Sequence, residues 1–131
     1  MSINWKAVAR DVTIVFGLVF ASSYLAVQLV TVMGDDVTAD VIGYSNIFWG
    51  TVGFTISGSL ARTNRWKHLF VVALGLWLVS FVNVVVGMTP IQVWAVGLLL
   101  ILVMMGLGGG LSYLFVRTPK AEAAAPPDRE A

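Results

Sequence analysis

The sequence contains no cysteine, a single histidine and four prolines, and only 11% of its 131 residues are charged. Without cysteine there is no disulfide, no thiol nucleophile and no thiolate metal ligand. The one histidine, His68, stands beside Arg65 and Lys67 in a basic turn, so the sequence offers it neither a second metal ligand nor a catalytic partner. The shortage of charge is the larger signal. Soluble domains carry about 25% charged residues, whereas this chain is 58% hydrophobic with a mean hydropathy of +0.87. Such values belong to integral membrane proteins. The lipid bilayer is the first expected partner, and nucleic acid is not one.

Four stretches contain no charged residue: 12–33, 41–61, 69–88 and 91–116. At 1.5 Å per residue each is long enough, or nearly so, to cross a hydrocarbon core of about 30 Å. The expected fold class is all-α, an integral membrane bundle of four transmembrane helices formed by residues 1–116. The first stretch is not a signal peptide, because Tyr24–Met33 continues the apolar run past the 7–15 residues of an h-region. Between the last two stretches, Thr89-Pro90-Ile91-Gln92 is a helix-start signal and predicts a tight antiparallel hairpin. Residues 117–131, with Pro119, Pro126 and Pro127 and no aromatic residue, read as a disordered tail.

Charge sets the orientation. All 8 Lys and Arg residues lie before the first stretch, between the second and third, or after the fourth. The positive-inside rule then places both termini in the cytoplasm. Asp35, Asp36 and Asp40 face outward, with Asp40 as a cap for the second helix. Trp5 and Trp66 mark the inner interface, and Tyr44, Trp49 and Trp94 lie toward the outer one. The small chain, tight loops and absence of another targeting signal suit a bacterial-type plasma membrane.

The second stretch is the expected packing centre. Gly43, Asn46, Gly50, Gly53, Ser57 and Ala61 recur at intervals of three and four and so share one helical face. In lipid, small residues let helix backbones approach closely. The fourth stretch carries Gly106 and Gly110 in a GxxxG pair, with Gly108 and Ser112 repeating the spacing. Gly50, Gly53, Ser57, Gly106 and Gly110 are the predicted packing residues.

Chemistry is harder to find. No ionisable residue falls well inside any of the four stretches, which argues against a proton- or ion-coupled carrier. Three amides, Gln28, Asn46 and Asn83, fall at similar depth on the outer side. They read as interhelical glue or, alternatively, as the polar lining of a small pore or carrier. Three aspartates near one loop lack the ligand spacing of a calcium site. No catalytic, cofactor-binding or metal site is expected.

In length and helix number the chain is similar to the small multidrug-resistance exporters and to small fluoride channels. The former carry a membrane-embedded glutamate, and residues 12–33 supply none. The latter are dual-topology dimers with balanced charge, and the bias here runs wholly to one side. Neither family is assigned. The expected function is that of a non-enzymatic structural or accessory membrane protein, packing as a parallel homo-oligomer or against a membrane-protein partner.

Overall fold

A computed structural model describes residues 3–33, 38–61 and 64–115. The tail at 117–131, the aspartates Asp35 and Asp36, and Arg62 in the basic turn lie outside the described residues.

Helix α1 spans Trp5–Met33 and therefore begins before the uncharged run. The reason is local. Asn4 Oδ1 accepts the Ala7 N–H at 3.2 Å, and its carbonyl accepts the Val8 N–H, so Asn4 is an N-cap. Lys6, Arg10 and Asp11 thus become helical residues with defined faces. Helix α2 spans Thr38–Leu60, which puts Asp40 inside the first turn rather than at the cap position. Helix α3 (Arg65–Ser80) follows Asn64, a left-handed residue at φ 49°. At Phe81 the backbone tightens, its N–H reaching Leu78, and a short helix α4 (Val82–Val85) continues the run. The Asn83 carbonyl then accepts the N–H groups of Met88 and Thr89 across Gly87, whose φ of +75° only glycine adopts freely. Helix α5 spans Ile91–Phe115, with the Pro90 carbonyl accepting the Trp94 N–H.

The described residues are all-helical, with no strand. Both α1 and α5 pack against α2 and α3. Asp11, Val15 and Ser22 meet Ser57, Gly53 and Asn46, so α1 and α2 run antiparallel. Thr51 and Gly58 meet Gly108 and Ser112, so α2 and α5 run parallel. The start of α1, the end of α2, the start of α3 and the end of α5 therefore share one end of the bundle.

The core is narrow: Val15, Phe54, Leu69, Val72 and Ala73 are fully buried. Large apolar residues such as Phe20, Val32, Leu78, Leu99 and Leu114 are exposed all around it. Water would penalise that surface, whereas lipid is its natural solvent. Three segments, Trp5–Val32, Arg65–Val85 and Ile91–Phe115, are long and apolar enough to cross a membrane. The glycines, hydroxyl residues and Asn46 of α2 hold its hydropathy lower, although the helix has 23 residues.

Those small residues have a geometric use. A Cβ at Gly53 would lie 3.1 Å from the Val15 Cα, and Gly50 lies against the Met104 sulfur. Ser57 is fully buried. On α5 the small residues used within the chain are Gly108, Gly109 and Ser112. A Cβ at Gly108 would come within 2.6 Å of the Thr51 carbonyl oxygen and of the Phe54 Cβ. Gly106 and Gly110, expected as the packing pair, point the other way and have open space within 4 Å. At 100° per residue they lie nearly opposite Gly108 and Ser112.

Candidate functional site: a buried carboxylate at one end of the bundle

Asp11 lies on the same α1 stripe as Val8 and Val15, at helical spacing, and its side chain is 0% exposed. A buried carboxylate must be hydrogen-bonded, and this one has three donors. Ser57 Oγ donates to Oδ2 at 2.9 Å from α2. His68 Nε2 lies 2.8 Å from the same oxygen and reaches it from α3. Arg10 Nε donates to Oδ1 at 2.7 Å from α1 itself. An ionised carboxylate only accepts, so with Asp11 ionised Nε2 carries the shared hydrogen. One side chain thus joins three helices.

A second polar contact fixes α5 at the same end. Arg65 Nη1 donates to Ser112 Oγ at 3.1 Å, and Ser112 Oγ donates to the Gly109 carbonyl at 2.6 Å. The Arg65 guanidinium also sits 4.2 Å from the centre of the Tyr113 ring, a cation–π distance.

Serine, histidine and aspartate meet here, but not as a nucleophilic triad. In a triad the imidazole stands between the hydroxyl and the acid and takes the hydroxyl proton. Here the carboxylate stands in the middle, and Ser57 and His68 both address Oδ2. The Ser57 hydroxyl is fully buried and spends its proton on Asp11. The arrangement suits interhelical fastening. No group of three His, Asp or Glu residues gathers among the described residues, so a metal would find one carboxylate and one imidazole, both engaged.

Reading the sequence missed this cluster. Starting the first helix at Val12 left Asp11 outside it, and His68 had no partner near it in sequence. The available signal was Asn4 as a cap, followed by Val8, Asp11 and Val15 at intervals of three and four.

The three amides do not come together through hydrogen bonds among the described residues. Asn46 Oδ1 lies 2.7 Å from Ser23 Oγ and 3.5 Å from Ser22 Oγ, which ties α2 to α1. Gln28 is exposed on α1, and Asn83 is half-buried on α4. Every buried side-chain nitrogen and oxygen among the described residues has a hydrogen-bond partner. Among the described residues, two open surface grooves are apolar. One, of about 320 Å³, lies between α1 and α2 beside Leu25, Ala26 and Trp49. The other, of about 560 Å³, lies between α2 and α5 beside Ile56, Leu111 and Phe115.

Comparison with protein-family models, with curated proteins and with solved structures finds no match to this chain. The helical apolar segments, three of them long and apolar enough to cross a membrane, suggest a membrane protein.

Proposed function

We propose that the chain is a four-span membrane protein with a structural or accessory role, working by packing against itself or a membrane-protein partner and not by catalysis. The observation that carries this reading is that, among the described residues, every buried polar side chain is paired within the chain. Among the described residues, Asp11, Ser57, His68 and Asn46 are spent on joining helices and not on lining a path for a solute. The seam toward a partner is the outward face of α5 at Gly106 and Gly110, where open space meets small residues.

A fourth span at α2 is supported by its length and by its place between α1 and α5. Cytoplasmic termini are supported by the charge bias and by the shared end of α1 and α5. A bacterial-type plasma membrane remains the location that the short loops favour. The remaining class, a small pore or carrier lined by Gln28, Asn46 and Asn83, would need water at Asn46.

The test uses the absence of cysteine. Asn46→Cys should resist a membrane-impermeant thiol reagent added from either side of sealed vesicles, because thiols ionise poorly in an apolar site. Rapid labelling, together with solute flux in liposomes holding only this protein, would favour the pore.

A further inference from the structure

The one carboxylate described at the basic end is turned inward, so among the described residues the exposed charges there are cations. Arg10 is the best defined of them. Its Nε is held 2.7 Å from Asp11, while its side chain stays 51% exposed. Neither of its terminal nitrogens has a partner among the described residues. Lys6 is exposed one turn earlier on the same helical face, and Trp5 beside it is 66% exposed. The face then continues as Thr13, Gly17 and Phe20, all exposed, at intervals of three and four. Thr13 turns its hydroxyl back to the Ala9 carbonyl at 2.9 Å, and Gly17 has open space within 4 Å. A pair of cations therefore stands at the foot of a shallow apolar track.

From this we infer that the outer face of α1 binds an anionic phospholipid, its headgroup phosphate held by Arg10 and Lys6 and an acyl chain lying along Thr13, Gly17 and Phe20. A phosphate oxygen pairs well with a guanidinium whose geometry is already fixed, and Asp11 does that fixing. Basic residues at a membrane rim attract anionic headgroups, and a Trp beside them anchors the same interface. The track explains why a lipid fits better than a soluble phosphate compound: charge and apolar surface are contiguous on one helix.

The experiment is native mass spectrometry of the full chain titrated with phosphatidylglycerol or phosphatidylcholine. Phosphatidylglycerol should bind more tightly. Lys6→Gln should weaken it roughly fivefold, the factor expected for one basic residue at a membrane surface. Arg10→Lys keeps the charge but loses the Nε contact, and should weaken it as well. Lys67→Gln removes an exposed cation from α3 and should leave the affinity unchanged. Lys6 is exposed and makes no hydrogen bond or ion pair among the described residues, so its variant is a fair test even if Arg10 variants fold poorly. Equal affinity for the two lipids would overturn the proposal. So would equal losses in Lys6→Gln and Lys67→Gln, which would mean diffuse charge and no site. Displacement of phosphatidylglycerol by inorganic phosphate at similar concentration would overturn the lipid assignment.

Discussion

His68 Nε2 lies 2.8 Å from Oδ2 of Asp11, a residue 57 positions earlier in the chain, and this contact fastens the start of α3 to the start of α1. Ser57 joins the same oxygen from α2. The outcome is a polar fastening at one end of the bundle, where α1, α2 and α3 meet. In a bilayer, helices gain little from the hydrophobic effect on approaching one another, so such contacts and close packing decide their arrangement.

Removing Asp11 should therefore hurt more than removing Ser57 alone. Asp11→Ala leaves buried Ser57 and half-buried His68 without their acceptor, and should cost about 2–3 kcal/mol, the scale for stranding buried polar groups. Ser57→Ala should cost about 1 kcal/mol, the worth of one hydrogen bond. Thermal unfolding in mild detergent measures both. An Asp11→Ala protein as stable as the parent would show that the carboxylate does not hold the helices together.

The two glycine faces of α5 should respond differently. Gly108→Ala drives a methyl group into the α2 backbone, which has no flexible side chain to give way, and should cost about 1–3 kcal/mol as overpacking does. Gly106→Ala meets open space and should leave the monomer as stable as before or slightly more so, since alanine favours helix by about 1 kcal/mol over glycine. Reversal of this order in unfolding measurements would refute the placement of the α2–α5 seam.

Much of this was legible in the sequence. The uncharged runs marked the helices, and the small-residue stripe of α2 named Gly50, Gly53 and Ser57, all of which are buried. The end of α5 was less legible because it offers small residues on both faces. Periodicity alone does not say which of Gly106–Gly110 or Gly108–Ser112 meets α2. That choice depends on Met104 and Ile101, which share the inward side. The carboxylate cluster was missed for another reason. Its members are far apart in sequence, and the uncharged run begins only after the charged turn that carries Asp11.

At the other end of the bundle, Trp77 and Trp94 stack with centroids 4.0 Å apart and each donates its indole N–H to the other's carbonyl, at 3.0 and 3.1 Å. Phe81 meets Trp94 edge-on at 4.9 Å. This reciprocal pair closes the α3–α5 hairpin. Trp94→Phe keeps most of the stack but loses one hydrogen bond, and should cost about 1 kcal/mol. Trp94→Ala loses both and should cost about 3 kcal/mol. Equal stability of the two variants would mean that the stacked rings contribute nothing.

The most direct measurement of the central claim is the native mass of the protein extracted from its own membrane in mild detergent. A chain that works by packing should be recovered in a complex heavier than its own 14.1 kDa, as several copies or with another membrane protein. Gly106→Leu and Gly110→Leu should break that complex and leave a folded monomer. Recovery of a 14.1 kDa monomer that carries solute flux in liposomes would contradict the account.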